Sequence, residues 1–114
     1  CAMVRAANLH ASTFLMVADF ATAAFVRSVD SGLQLCIGTE RDNPRKHAAA
    51  GARYLQPWRG ILSPKLRDEA LALGLRTSVF FANTPEDMAA VWDLGYQGIL
   101  TDRCDLAVAA RTAR

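Results

Sequence analysis

The chain has 114 residues, of which 52% are hydrophobic and 21% are charged, and its formal net charge is +2. This balance is typical of one globular domain or part of one, and so small a charge, with no Lys/Arg stripe interleaved with aromatic residues, excludes nucleic acid as the predicted partner. No run of about 18 apolar residues occurs, so no transmembrane segment is predicted. Because no signal peptide is recognisable we expect a cytoplasmic protein, and a secreted or lipid-anchored parent is the alternative.

Short apolar runs alternate along the chain with stretches of helical pattern about ten residues long. The runs lie at residues 14–18, 33–37, 53–56, 76–82 and 98–101. Runs of this length, separated in this way, predict five strands of a parallel sheet and about five helices joined by right-handed crossovers.

The ends of the helical stretches carry conventional signals. A capping side chain followed by proline suits the first turn of a helix, and this pair occurs as Asn43-Pro44, Ser63-Pro64 and Thr84-Pro85. Glycine just past a helix supplies a left-handed residue that closes the last turn, and the glycines so placed are Gly32, Gly51, Gly74 and Gly95.

The cysteines and histidines do not form a recognisable metal or disulfide pattern. Cys1, Cys36 and Cys104 are widely spaced and odd in number, which predicts neither a disulfide framework nor a zinc site; Cys36, inside an apolar run, is predicted to be a buried reduced thiol. His10 is predicted to be an exposed linker residue and His47 a surface residue of a short helix.

Two architectures accept five consecutive strand–helix units: a small doubly wound domain, or the C-terminal five-eighths of an eight-stranded barrel. A phosphoacceptor domain would need an acidic pair, an acceptor Asp and a Lys at the strand ends. The first, third and fifth strands end instead in Asp19, Gln56-Pro57-Trp58 and Thr101-Asp102-Arg103. A dinucleotide-binding domain would need a Gly-rich turn between strand and helix, and none is present.

From about Tyr54 onward, the order of several short motifs favours the barrel. They are Pro57-Trp58, Leu62-Ser63-Pro64, Gly74-Leu75, Phe80-Phe81-Ala82-Asn83, Pro85-Glu86-Asp87-Met88, Leu94-Gly95 and the run from Gly98 to Asp105. This ordered set, covering about half of the chain, resembles the C-terminal region of the glycerophosphodiester phosphodiesterase family. That family typically reads Trp-Thr-Val-Asn where this chain has Phe80 to Asn83, and it has Pro where this chain has Cys104.

The resemblance implies that residues 1–114 are the C-terminal portion, about five strands, of a TIM-type barrel. The family is understood to hydrolyse glycerophosphodiesters to glycerol 3-phosphate and an alcohol, with a divalent cation held by carboxylates and with two histidines. Its early-strand motifs His-Arg-Gly, Glu-x-Asp, His-Asp and Glu-x-Lys are absent here. We therefore assign no catalytic residue, metal ligand or cofactor to this chain, and expect Mg²⁺ or Ca²⁺ only for a complete parent domain.

Seven residues near strand ends are candidates for substrate binding. They are Asp19, Phe20, Trp58, Phe80, Asn83, Asp102 and Arg103. Structural alternatives stay open for three of them: Asp19 as a helix cap, Trp58 packed against a loop, and Arg103 in an ion pair or cap rather than on a phosphate. Two further expectations are that Glu40-Arg41-Asp42 is a solvated loop and that Trp92 is a core residue.

The leading hypothesis is a fragment of a glycerophosphodiester phosphodiesterase-like enzyme that is inactive alone. Its expected partners are the missing N-terminal half-barrel or a second copy of the chain, because a half-barrel leaves sheet edges unpaired. The parent's substrate would be a small glycerophosphodiester. The alternative is a non-catalytic half-barrel that acts as an interaction or scaffold module.

Overall fold

Five parallel strands form one sheet in the computed structural model of the chain, which describes residues 1–113. The strands are β1 (Phe14–Val17), β2 (Gln34–Ile37), β3 (Tyr54–Leu55), β4 (Arg76–Phe80) and β5 (Gly98–Leu100). The helices are α1 (Ala2–Ala6), α2 (Phe20–Val29), α3 (Pro44–Ala49), α4 (Pro64–Ala72), α5 (Pro85–Asp93) and α6 (Cys104–Thr112). Short 3-10 helices lie at His10–Ser12 and Arg59–Ile61.

The spatial order of the strands decides between the two architectures. The order is β1-β2-β3-β4-β5, with each strand parallel to the next. A doubly wound sheet reverses its strand order at a switch point, whereas a barrel adds each strand beside the previous one. The prediction of a partial (β/α) barrel of about five strands is therefore confirmed.

Alternate residues of the strands form an apolar outer layer beneath the helices. Leu35 and Ile37 pack with Ala23 of α2, and the neighbouring strands repeat the pattern. Leu55 packs with α4, and Val79 with α5. Because successive side chains of a strand point to opposite faces, a single alternation places the core on one side of the sheet.

The core clusters of residues 1–113 place the helices on that side of the sheet, and we call the opposite face the inner face. It carries Phe14, Met16, Cys36, Tyr54, Arg76, Ser78, Phe80 and Leu100, which are paired across the strands in the observed register. Phe14, Met16 and Leu100 are 45–47% exposed. Large apolar side chains are rarely left exposed together without a partner, so this face has the character of an unfilled barrel interior.

The predicted helix starts are confirmed. Asn43, Ser63 and Thr84 each accept a hydrogen bond from the backbone N–H three residues on, with proline in the first turn. Three of the four predicted glycine ends are also confirmed, since Gly51, Gly74 and Gly95 have φ of 77–78°. Gly32 is the exception and the prediction is wrong there, because α2 ends at Val29 in extended backbone.

Two side chains match their predictions. Cys36 is a free thiol with 1% exposure, and burial raises its pKa to about 11. Trp92 packs, partly buried, against the core around Val79 and Met88.

Within residues 1–113, no helix is both long enough and apolar enough to cross a bilayer. The cytoplasmic location stays a prediction.

Asp30 anchors the N-terminal segment to the sheet. Its carboxylate accepts from Nε2 of His10 at 3.0 Å and from the backbone N–H of Gly32 at 3.1 Å, and it pairs with Arg5 at 3.2 Å. His10 is therefore not the exposed linker residue that was expected. The His10 ring also lies so close to Gly32 that an added Cβ there would approach its Cδ2 to 3.2 Å.

The Asp30 cluster predicts a pH-dependent stability. The hydrogen bond from His10, followed by those from Gly32 and Arg5, lowers the pKa of Asp30 below its ordinary value of 3.8. A lowered pKa in the folded state contributes stability that is present above the unfolded value and is lost as pH falls through the folded value. Asp30→Asn should therefore lower the free energy of unfolding at pH 7, and this difference should shrink below about pH 4.

Urea titrations of the Asp30→Asn variant and the parent chain between pH 7 and pH 3 measure this difference. Asp68→Asn is the matched control, since Asp68 is an exposed carboxylate paired with the adjacent Arg67. Exposed pairs contribute little, so the control should unfold like the parent. A deficit in Asp30→Asn that stays constant over this pH range would contradict the assignment.

Candidate functional site

The C-terminal edge of the sheet gathers the polar residues that follow the strands. Since all five strands are parallel, the segments after them emerge on the same side. Ligands of parallel α/β proteins bind at this edge. Each of the seven predicted site residues lies at or just beyond the end of a strand here.

A cavity of about 250 Å³ opens at the ends of β4 and β5. Its lining is Phe80, Phe81, Leu100, Thr101 and Asp102. Three of these side chains are apolar and Asp102 is a carboxylate, which is the combination of apolar wall and few polar groups typical of small-molecule sites. The sequence predicted Phe80 and Asp102 for this site but missed Phe81 and Leu100.

Asn83 joins the ends of β4 and β5. Its Oδ1 accepts from Oγ1 of Thr101 and from the backbone N–H of Asp102, both at 2.9 Å, and its Nδ2 donates to Oδ2 of Asp102 at 2.9 Å. The backbone N–H of Arg103 in turn donates to Thr101 at 3.0 Å. The structure therefore brings the predicted residues Asn83 and Asp102 together as one hydrogen-bonded rim.

Arg103 is engaged by a carboxylate of its own helix. Its Nε and Nη2 donate to the two oxygens of Asp105 at 3.0 and 2.7 Å. This pairing lowers the pKa of Asp105 and raises the pKa of Arg103. The ion pair left open by the sequence is thus present, and it occupies the fork that a phosphate would use.

Asp19 and Phe20 lie apart from the cavity, at the end of β1, which β2 and β3 separate from β4. Oδ1 of Asp19 accepts from the backbone N–H of Thr22 at 2.7 Å, so Asp19 caps α2, and this hydrogen bond lowers its pKa. The Phe20 ring meets the His47 ring edge-on at 5.3 Å, with Nζ of Lys46 4.6 Å from its centroid.

Trp58 packs on the loop that follows β3. It is 54% exposed, and its ring lies directly over Gly60, where any side chain would collide with it. Its backbone pairs with that of Phe80 and so continues the β3–β4 pairing beyond the strands. Trp58 is therefore beside Phe80 at the edge, but it does not line the cavity.

His47 is buried, and the prediction of a surface histidine is wrong. Its exposure is 0%, and its Nε2 donates to the carbonyl oxygens of Thr39 and Glu40 at 2.8 and 3.0 Å. Pro44 and His47 are both buried, one turn apart on α3. The helix is too short for its apolar face to be read from the sequence, which is why the signal was missed.

Arg41 was also missed, because Glu40-Arg41-Asp42 was expected to be a solvated loop. Arg41 is half-buried. Its Nε donates to the carbonyl of Gly38 at 3.3 Å, and its Nη1 donates to the backbone oxygen and Oε1 of Gln56 at 3.4 and 3.1 Å. Its guanidinium carbon lies 4.7 Å from the centroid of the Phe80 ring. The side chain therefore reaches from the loop after β2, across β3, to the end of β4.

The carboxylates of this edge do not converge on a cation. Asp19 caps a helix, Asp102 is tied to Asn83, and Asp105 is paired with Arg103. Over residues 1–113, no three or more His, Cys, Asp or Glu side chains come together in a way that could hold a metal ion. The residues present do not fit the divalent cation that the family resemblance implies for a complete domain.

A larger cavity, about 350 Å³, lies at the opposite edge of the inner face. Phe14, Tyr54, Arg76, Ser78 and Gln97 are among its lining residues. It sits at the N-terminal ends of the strands, where barrel proteins keep residues for stability rather than for ligands. We therefore take the smaller cavity at the C-terminal edge as the candidate site.

The structure is similar to several solved glycerophosphoryl diester phosphodiesterases. A presumed member from Silicibacter pomeroyi is 25% identical, with a TM-score of 0.87 over 98% of this chain and 42% of that chain. A member from Parabacteroides distasonis (17% identity) has a TM-score of 0.81, and a presumed one from Agrobacterium tumefaciens (19%) has 0.77; this chain covers 48% and 49% of them. No family model and no curated protein matches the chain.

These similarities confirm the resemblance stated from the sequence. The chain is built like part of a glycerophosphodiester phosphodiesterase barrel, and it spans less than half the length of the solved structures it matches.

The Asn83 network predicts which residue holds the edge of the cavity together. Asn83→Ala removes the acceptor for Thr101 and for the Asp102 N–H, and should cost about 1–2 kcal/mol of unfolding free energy. Hydrogen exchange of the Asp102 amide, followed by NMR, should accelerate. Asn83→Asp combined with Asp102→Asn keeps both acceptor bonds and exchanges the donor and acceptor of the third, so it should retain protection of the amide at position 102. Unchanged exchange in Asn83→Ala would show that another group holds the two strand ends.

Proposed function

We propose that this chain is the C-terminal part of the barrel of a glycerophosphodiester phosphodiesterase-like enzyme. The whole enzyme would hydrolyse deacylated phospholipids to glycerol 3-phosphate and an alcohol. The observation that carries the proposal is the match to a presumed glycerophosphoryl diester phosphodiesterase along nearly the full length of this chain but along only 42% of that protein. The consecutive order of the parallel strands supports the same assignment.

In this proposal the chain supplies one wall of the substrate pocket. Phe80, Phe81 and Leu100 form an apolar surface suited to the carbon skeleton of a glycerol or alcohol group. Oδ2 of Asp102 accepts a hydrogen bond from Asn83, and Oδ1 of Asp102 has no partner among residues 1–113. That oxygen can accept a hydrogen bond from a substrate hydroxyl. The edge of this pocket is shaped by Trp58 and Asn83. The other predicted residues, Asp19, Phe20 and Arg103, contribute to substrate binding only when the barrel is complete.

The acid–base and metal chemistry is assigned to the segment that completes the barrel. The carboxylates of this edge are engaged with separate partners and offer no converging oxygen ligands for Mg²⁺ or Ca²⁺. His47 is buried beneath the loop after β2, and His10 lies at the opposite end of the sheet beside Asp30. We therefore expect the chain alone to be inactive.

A chimeric barrel tests this function. Joining the remaining part of the Silicibacter pomeroyi protein to this chain should restore hydrolysis of a glycerophosphodiester in the presence of a divalent cation, because the chimera unites both sets of strand ends. The chain alone should release no glycerol 3-phosphate under the same conditions. The intact Silicibacter pomeroyi protein is the positive control.

Two results would contradict the proposal. Hydrolysis by the isolated chain would mean that the catalytic groups lie within it. A chimera that folds as a monomer, as judged by circular dichroism and light scattering, but has no activity would favour the non-catalytic interaction module instead.

We further propose that the segment completing the barrel covers the inner face, and that a second copy of the chain takes its place when the chain is alone. Phe14, Met16 and Leu100 expose apolar surface there, and β1 and β5 each have only one strand neighbour among residues 1–113. Unpaired strand edges beside an apolar face favour association.

Lysine substitutions on the inner face and on the outer helices distinguish association through the inner face from non-specific hydrophobic association. Met16→Lys combined with Leu100→Lys places charges on the inner face and should convert the self-associated chain to a monomer in light scattering. Phe25→Lys combined with Val108→Lys is the control, since these side chains are 68% and 63% exposed on the outer helices. Association that is lost only in the control, or a parent chain that is monomeric at all concentrations, would refute the inner face as the interface.

A further inference from the structure

We propose that Arg41 is an anion-binding residue that holds the phosphate group of the substrate beside the Phe80 ring. This assignment rests on the proposed function for the identity of the ligand, a phosphate mono- or diester, and on the geometry of Arg41 for the site. Neither the sequence motifs nor the resemblance assigns a role to this residue.

The position of Arg41 is fixed before any ligand arrives. Three hydrogen bonds, to Gly38 and Gln56, use its Nε and Nη1, and the face of the guanidinium lies against the Phe80 ring. Gln56 is itself only 4% exposed. A long side chain held in this way loses little further rotamer freedom when it binds a ligand, which favours its use as an anchor.

The charge of Arg41 is not neutralised by a neighbouring carboxylate. Three arginines lie in the segments that follow strands of this edge: Arg41, Arg59 and Arg103. Arg59 is paired with Asp87 and Arg103 with Asp105. Arg41 has no Asp or Glu oxygen within ion-pair distance anywhere in residues 1–113, and its hydrogen bonds go only to neutral oxygens. It is therefore the arginine of these three that carries no ion pair and is available to an anion.

One nitrogen of the guanidinium remains free to donate. Nη2 makes no hydrogen bond to the described residues, and it is not among their buried unpartnered polar atoms, which are His47 Nδ1 and Trp92 Nε1. Nη2 is therefore not fully buried, and its N–H groups can donate to phosphate oxygens. Guanidinium–phosphate hydrogen bonds are charge-assisted and stronger than neutral ones.

The neighbouring cavity explains what such an anchor would do. Phe80 lies between the two features: its ring contacts Arg41 and also lines the 250 Å³ cavity with Phe81 and Leu100. A phosphate held by Arg41 would leave the organic part of the ligand against this apolar wall. Arg41 and the cavity together would then select a phosphorylated small molecule over glycerol or inorganic chloride.

Titration of the ¹⁵N-labelled chain with sn-glycerol 3-phosphate tests the assignment. The Nε–H resonance of Arg41, identified by its loss in Arg41→Gln, should shift in a saturable way in the parent chain, whereas glycerol and sodium chloride at matched ionic strength should not produce this shift. Arg41→Gln should weaken binding about tenfold or more, judged from backbone resonances around Phe80. Arg41→Lys, which keeps the charge but loses the hydrogen bonds that orient the guanidinium, should bind with intermediate affinity.

Arg45→Gln is the matched control, since Arg45 lies on the adjacent helix, is 82% exposed and pairs with Glu69; it should bind like the parent. Equal affinity in Arg41→Gln and the parent, or a phosphate response no larger than that of sodium chloride, would overturn the assignment. Thermal unfolding of each variant is recorded in parallel. If Arg41→Gln does not fold, the shift in the parent and the graded loss in Arg41→Lys decide the question.

Failure of this inference is separate from failure of the proposed function. If the chimera is active and Arg41→Gln does not change its Michaelis constant, the phosphodiesterase proposal is supported and the role of Arg41 as phosphate anchor is contradicted. If the chimera is inactive but its phosphate binding still depends on Arg41, the anion site is supported and the hydrolytic function is contradicted.

Discussion

The alternation of side chains along five parallel strands is the constraint on which the rest of the structure depends. One set of residues, represented by Leu35, Leu55 and Val79, is buried beneath the helices. The other set, represented by Phe14 and Leu100, lies on the inner face, where these two side chains are nearly half exposed. Burial of the first set stabilises the sheet through removal of apolar surface from water. The second set gives the sheet the unfilled inner face of a partial barrel.

The same parallel arrangement concentrates polar residues at one edge, but most of them serve the fold itself. Asp19 caps α2, Asn83 ties β4 to β5, and Arg103 is paired with Asp105. A structural role explains the observed contacts of each of these side chains. The groups left for a ligand are fewer: the apolar wall around Phe80, the free oxygen of Asp102 and the unneutralised guanidinium of Arg41. This set is suited to holding a phosphorylated molecule, whereas cleaving one requires further groups.

The proposed division of labour between binding and cleavage rests on the similarity to solved phosphodiesterases and on the geometry of the edge. The chain matches less than half of those proteins. Its edge residues form an apolar wall and, in our proposal, an anion anchor, and no convergent set of metal ligands occurs among residues 1–113. In barrel enzymes the catalytic groups come from the ends of several different strands. A contiguous set of five strands can therefore carry binding residues while the chemistry belongs to the others.

The helices and strands could be predicted from the sequence because their signals are local. The caps at Asn43, Ser63 and Thr84 and the left-handed glycines act within one turn of the chain, so the helix boundaries followed from neighbouring residues. The ordered motifs from Pro57 to Asp105 also identified the barrel that the strand order confirms.

Three features emerge only in the folded chain: the burial of His47, the hydrogen bond between His10 and Asp30, and the placement of Arg41 over Phe80, 39 positions further along the chain. These contacts depend on which strands become neighbours and which face each residue takes. That information arises from long-range packing, and no window of sequence contains it.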